Sequence, residues 1–390
     1  VESDLARAVE RLERAVTRDS AAGFSAARAC RACEALAALA DRYDWADSTE
    51  AVQRTLTRWS TLRPTDYQPW QRRADHMVSL GRERDADQAL HRADSLGAPR
   101  RASVIDTLVR SLRGDDLETA NRLCSNRLGG LDVAAFVSLR SHCTIALRAQ
   151  GRYRDAIGLV RGGRFPGARA GRTEVPRDSL HEAILDMEMA RPAAAAMQFA
   201  AMARDASGRS HPDGAKARLM TWRLTLSGTA AALFTDTVRV RALADSVDLI
   251  GHRSLSLTEP LLHHFLRGVL LASGNHHEAA VRELRAAIAS PANGYTRANY
   301  ELARSLLALA RPAEAIPVLR AALRGRIHEP GLYLTRTETH ELLARAFLEI
   351  GATDSATSHY AVVERAWRGA DPMFAQRYAV AQRWMAQHRH

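Results

Sequence analysis

The sequence predicts an all-α fold, a right-handed α-solenoid of stacked antiparallel helix pairs. Three observations predict it. The composition, 46% apolar and 25% charged, is that of a folded chain. Two segments, Gly81-Arg-Glu-Arg-Asp-Ala86 and Gly151-Arg-Tyr-Arg-Asp-Ala156, are near copies, each between apolar stretches. A ladder of residue pairs twelve positions apart runs along most of the chain: Ala40/Val52, Ala74/Ala86, Leu108/Ala120, Thr144/Ala156, Ala183/Ala195, Gly268/Ala280, Ala303/Ala315 and Ala344/Ala356.

Four residues after each second member stands an apolar residue: Leu56, Leu90, Cys124, Val160, Phe199, Leu284, Leu319 or Tyr360. Alanine is abundant, so one match means little; joint matches at fixed offsets are hard to obtain by chance. Offsets of three and four place side chains on one helical face. Between the two faces lies a turn, marked by Gly81, Gly114, Gly151, Gly274 or Gly351. Each unit is thus two antiparallel helices. Small residues sit where their backbones cross, and neither helix pair buries its apolar face without a neighbour.

These residues resemble the tetratricopeptide repeat (TPR), a helix-turn-helix unit of about 34 residues with a W-x2-L-G-x2-Y…A-x3-F…P pattern. Trp70, Ala74, Met77, Gly81, Ala86, Leu90 and Ala93 match it, as do Ala40, Tyr43, Leu56 and Pro64. Second-helix markers are spaced at 34, 34, 36, 39, 85, 35 and 41 residues. The long interval has room for one degenerate pair around residues 213–250, which makes about nine pairs in all.

Taken in order, residues 1–32 read as a partial N-terminal helical unit, with Ala8, Leu12 and Ala15 at second-helix spacing. Residues 33–160 read as TPR-like repeats. Residues 161–178, with Gly162, Gly163, Pro166, Gly167, Gly171 and Pro176 among arginines, read as a linker or, alternatively, a basic arm for an acidic partner. Residues 179–260 read as degenerate helical repeats and 261–370 as TPR-like repeats. Residues 371–390 form a capping helix opened by Asp371 and Pro372, with Phe374, Tyr378, Ala381 and Met385 on its apolar stripe.

The net charge is +11, yet of 55 basic residues only Lys216 is lysine, a bias that looks genomic. The arginines are spread along the chain and aromatics are only 6%, so the charge argues weakly for nucleic acid. Lysine scarcity excludes a P-loop and a kinase core from this segment. No run is apolar enough to span a membrane, and no signal peptide opens the chain. Beginning at Val1, the sequence reads as a fragment or processed form.

Catalytic and metal motifs fail on spacing. His181-Glu182, His277-Glu278 and His340-Glu341 lack the second histidine of a zinc protease, since Leu185, Val281 and Ala344 stand there. His263 and His264 are read as opening a helix that His276 and His277 end, about 18 Å apart and unable to share an ion. The expectation is no catalytic residue, no metal and no cofactor. Cys30 and Cys33 form a lone C-x-x-C, read as buried thiols or a local disulfide; Cys124 and Cys143 are read as core residues. A cytoplasmic location is the leading expectation, and a Cys30–Cys33 disulfide would move it outside.

What remains is the concave face, a curved trough where TPR proteins commonly hold ligands. The resemblance places Gln71, Asp75, Arg297, Tyr300, Arg304, Glu341 and Arg345 there. The arginines would meet acidic side chains or a C-terminal carboxylate, and Tyr300 would anchor. The function expected is a non-catalytic scaffold or sensor binding a protein or peptide. Alternatives are a nucleic-acid-binding basic solenoid and an oligomerisation module of a larger regulator. Leu334-Thr-Arg-Thr-Glu338 and Trp367-Arg-Gly-Ala-Asp-Pro372 resemble the tails of large bacterial regulators.

Overall fold

A computed structural model describes residues 10–18, 31–45, 48–98, 100–126, 133–161, 163–164, 174–175, 177–208, 213–254, 258–288, 296–325, 327 and 334–388. Its helices are α1 (residues 10–18), α2 (Arg31–Trp45), α3 (Thr49–Leu62), α4 (Gln68–Ser79), α5 (Glu83–Ser95), α6 (Arg100–Arg113) and α7 (Leu117–Asn126). They continue with α8 (Val133–Ala149), α9 (Tyr153–Val160), α10 (Ser179–Glu188), α11 (Pro192–Gly208), α12 (Asp213–Leu233), α13 (Thr237–Gly251) and α14 (Leu262–Ser273). The last are α15 (His277–Ala287), α16 (Thr296–Ala308), α17 (Pro312–Arg324), α18 (Arg336–Glu349), α19 (Thr353–Trp367) and α20 (Ala375–Gln387). Single 3-10 turns, Glu259–Leu261 and Pro372–Phe374, precede α14 and α20. The fold is the expected one, an all-α repeat of antiparallel helix pairs. Within 161–178, Gly163–Arg164 and Glu174–Val175 form a two-residue antiparallel ladder.

The ladder read from the sequence is the packing rule of these pairs. Its small or apolar members are buried, from Ala40, Val52 and Leu56 to Ala344, Ala356 and Tyr360; Leu90 and Cys124 are half-buried. The structure adds a fixed point. Seven residues after every first member from Ala74 on stands a residue with left-handed φ: Gly81, Asp115, Gly151, Ala190, Asn275, Ala310 and Gly351; the position after Ala40 lies outside the described residues. The next residue donates its amide to the carbonyl five positions back at 2.8–2.9 Å, from Arg82 to Met77 through Ala352 to Phe347. This bond closes the first helix and reverses the chain.

The α12–α13 pair fills the long interval and carries a ninth rung. Gly228 is followed after seven positions by Thr235 at φ 61°, after twelve by Val240 and after sixteen by Ala244. Val240 and Ala244 are buried. A Cβ on Gly228 would lie 2.7 Å from Leu266, so the next pair leans directly on its backbone. The sequence pattern hid this rung because sizes are exchanged: valine stands where the others are mostly alanine, and alanine where the others are large.

The chain divides into two compact units, Val1–Ala102 with Ala289–Gly294, and Ser103–Ile288 with Tyr295–His390. In the smaller unit, Val16 of α1 joins Leu36, Leu39, Val52, Leu56 and Trp59 in one core, and Ala74, Met77, Ala86 and Ala89 form another. Trp59 donates its indole N–H to Asp66 at 3.0 Å, and His76 meets Asp44 at 2.6 Å.

The larger unit returns on itself. One core joins Tyr153, Ala156, Ile157 and Val160 of α9 to Ala344, Tyr360, Val363, Trp367, Phe374 and Ala381 near the C-terminus. Thr337 donates its hydroxyl to the Ala149 carbonyl at 2.6 Å. The Asp371 amide donates to the Gly151 carbonyl, and its carboxylate accepts from the Arg154 amide, both at 2.9 Å. The α8–α9 hairpin and the C-terminal helices of this unit therefore share a seam, which brings the two ends of its expected curved trough together.

The described cysteines are disulfide-bonded. Cys124 and Cys143 belong to the core, as read from the sequence, and in addition form a disulfide between α7 and α8, with Cα atoms 5.7 Å apart. Cys33 is disulfide-bonded, which fits the disulfide alternative over the free-thiol one. Cys30 lies outside the described residues.

Candidate functional site

A cavity of about 500 Å³ opens inside the larger unit. Its apolar walls are Met187, Leu233, Leu334, Met373 and Phe374; its polar lining includes Tyr153, Glu188, Arg297, Glu338 and Arg377. The ladder explains why these residues meet. Met187 and Glu188 end α10, Leu233 ends α12, Tyr153 opens α9, and Arg297, Glu338 and Arg377 lie in the first turns of α16, α18 and α20. Helix ends, not one continuous helix face, build the site.

Charges pair in two groups, one with an extra guanidinium and the other with an extra carboxylate. Glu188 accepts from Arg148 at 2.9 Å and from Arg297 at 3.2 Å, across the interior. All three side chains are at most 10% exposed. A carboxylate at a helix C-terminus opposes the macrodipole, and two guanidiniums offset this. On the other side Arg377 binds Glu341 and approaches Glu338 at 3.5 Å, with its guanidinium 4.6 Å from the Trp367 ring centre. Burial opposes the charge on Arg377, but the carboxylates of Glu341 and Glu338 hold its proton more firmly than usual.

Two phenols face this network. Burial first, then the charges of Glu188 and Glu338, push Tyr153 well above its ordinary range. Burial, then Glu338, does the same to Tyr300. Both stay neutral. One donor is unmatched: Nε of Arg297 is shut from solvent and makes no hydrogen bond.

The expected site residues divide accordingly. Arg297 lines the cavity, Glu341 anchors Arg377, and Tyr300 lies against the same carboxylates. Arg304 is exposed and pairs with Glu301 at 3.0 Å. Arg345 is exposed, on α18. Gln71 and Asp75 lie on α4 of the smaller unit, half-buried and exposed respectively. Sequence reasoning missed Tyr153, Glu188, Phe374 and Arg377. Arg377 lies in the helix read as a cap, and its flank of Phe374 and Tyr378 is the available signal.

A second polar cluster holds the seam. Asp115, in the α6–α7 turn, accepts two bonds from Arg336 at 2.9 and 3.0 Å, and faces Nε2 of His340 at 3.0 Å. Nδ1 of His340 lies 2.7 Å from Nδ1 of His359, whose ring stacks on Phe347. Burial would raise Asp115, but His340 and Arg336 carry it far below the usual carboxylate range.

The other histidines differ from expectation. His276 and His277 open α15 instead of ending α14. His263 and His264 do not diverge; their rings lie 3.9 Å apart, and His263 is buried, with Nδ1 2.8 Å from the Pro260 carbonyl. Among the described residues no three His, Cys, Asp or Glu side chains are grouped to hold a metal, and no helix is long and apolar enough to cross a membrane.

Fold and site together define a TPR-like helical-repeat protein. No protein-family model matches the chain, and no curated protein does. Among solved structures it is similar to the TPR domain of P58(IPK), 14% identical over 91% of this chain and 98% of that one, TM-score 0.28. Yeast Tom70 is 13% identical over 91% and 89%, TM-score 0.30. Naa15/Naa10 bound to HypK-THB gives 13% over 97% and 66%, TM-score 0.23. Scores this low carry no shared overall shape; the class rests on the hairpin ladder itself.

Proposed function

We propose that the chain is a non-catalytic protein-binding module whose larger unit takes a short apolar segment of a partner into the cavity. The observation that carries this reading is the cavity's chemistry. Its walls are apolar, its charges are already paired, and the Arg297 guanidinium belongs to its lining. A partner's apolar side chain would fill the space, and a carbonyl or carboxylate beside it would accept from Arg297. Tyr300 and Glu341 would hold Arg377 in place, while Arg304, Arg345, Gln71 and Asp75 would contribute no more than peripheral contacts. The oxidised Cys124–Cys143 pair supports an extracytoplasmic setting over a cytoplasmic one.

Random-peptide display on the immobilised full chain at pH 7.5, followed by fluorescence anisotropy, tests this. Arg297→Leu should weaken recovered peptides by about tenfold or more, the cost of a lost charged hydrogen bond. Met373→Asp, which puts a charge on the wall, should do the same, and Arg345→Ala should leave affinity unchanged. Peptides that bind all three variants equally would remove the cavity from the reading.

A further inference from the structure

The cavity straddles the seam. Tyr153 comes from its first side; Glu338, Phe374 and Arg377 come from its last. Tyr153 and Phe374 touch edge to face at 5.2 Å. Whatever loosens the seam therefore moves the walls apart.

Part of the seam is built from groups that titrate. Asp115 on the α6–α7 turn binds α18 through Arg336 and His340, and His340 passes the contact on to His359 of α19. Two ring nitrogens 2.7 Å apart need one proton between them: one donates and the other accepts. If Asp115 accepts a hydrogen bond from Nε2–H of neutral His340, Nδ1 of His340 is an acceptor and His359 donates. If His340 is charged, it donates from both nitrogens and His359 accepts. With both Nδ1 protonated and both rings charged, two donors stand face to face and no arrangement of the pair survives. No carboxylate other than Asp115 is among the strongest charges felt by His359; Arg320 of α17 and Arg336 of α18 add repulsion.

We propose that the Asp115–Arg336–His340–His359 cluster is an acid-sensitive latch, which opens the seam on protonation of the histidine pair and so releases what the cavity holds. This rests on the peptide-binding reading of the cavity. The sign follows from His359. Burial, then His340 and Arg320, lower it from 6.5 to about 4. A group lowered on folding contributes fully above its unfolded value and loses that contribution as pH falls through its folded one. The latch is therefore closed above about pH 6.5 and opens towards pH 4.

Hydrogen exchange of the full chain, corrected for intrinsic rates, reads the latch without any ligand. Between pH 7 and 4 the wild type should lose protection at residues 112–118 and 335–341, with α12 and α13 unaffected. His359→Phe, which keeps the stack on Phe347 but cannot titrate, should retain it. Asp115→Asn, compatible with the left-handed backbone there, should show the loss already at pH 7. A display-selected peptide should bind the wild type at least tenfold more weakly at pH 4.5 than at 7.5, and His359→Phe with little change. Protection that holds to pH 4, loss spread evenly over the unit, or equal loss in His359→Phe would each overturn the latch. Opening with unchanged peptide affinity would overturn the gating. Failure to recover any peptide at pH 7.5 would strike the cavity reading alone, and exchange would still decide the latch.

Discussion

Thr235, Ala190 and Ala310 occupy positions where φ is 61°, 63° and 55°. At the same point of other hairpins stand Gly81, Gly151 and Gly351, which pay little for that conformation, and Asp115 and Asn275, whose short polar side chains tolerate it. The turn geometry is thus set by the repeat, and some residues adopt it against their preference. β-branched Thr235 resists most. Thr235→Gly should stabilise the larger unit by about 1 kcal/mol despite the added freedom of the unfolded chain. The urea midpoint, compared with Ala190→Gly and wild type, checks this; a fall in midpoint for Thr235→Gly would show that its turn gains nothing from glycine. Residue-scale sequence reading marked five glycines as turns. At Gly114 and Gly274 the residue that reverses the chain is the next one, because the left-handed position is fixed by its distance from the helix crossing, not by where glycine falls.

At the scale of elements, the helix pairs were readable because their rule is local. Small residues at the crossing and apolar residues four positions on are visible in any window of one repeat. The α7–α8 contact was not, since nothing in a spacing of 19 residues distinguishes two buried thiols from a bond between them. That bond ties a short helix to its neighbour inside a core containing Leu108, Ala120 and Leu139. Closing a loop of this length is worth about 3 kcal/mol, chiefly by restricting the unfolded chain. Cys124→Ala/Cys143→Ala should lower the stability of the larger unit by about that amount, and a reductant should then have no further effect on α7 and α8. Calorimetry of variant and wild type with and without reductant measures it. An unchanged transition would mean that apolar packing alone holds α7.

For the larger unit as a whole, the decisive contacts join residues far apart in sequence: Thr337 to Ala149, Arg336 to Asp115, Asp371 to Gly151. Phe374 sits at their centre, 3% exposed, with its ring 5.2 Å from Tyr153 and 5.0 Å from Trp367. Phe374→Ala should cost about 3–5 kcal/mol, at the upper end for a large buried ring, because both sides of the seam lose their contact. Denaturant unfolding followed by hydrogen exchange at α9 and α19 tests this, and a loss under about 1 kcal/mol would show that the seam does not depend on it. The candidate site shares this long-range character. Arg297 was legible as an arginine on a first helix, but Glu188, its partner from α10, was not, because no local pattern joins α10 to α16.

From the order of its residues alone, the chain determined its helices, their pairing, every ladder rung but the one at Gly228, and the absence of familiar catalytic spacings. Those properties depend on neighbours within one repeat length. Tertiary structure alone decided that the larger unit closes, that helix ends converge on a neutral cavity, and that Asp115 meets His340. Closure is the sum of small rotations over several stacked pairs, each set by side-chain volumes at the crossings. No single window of sequence contains that sum.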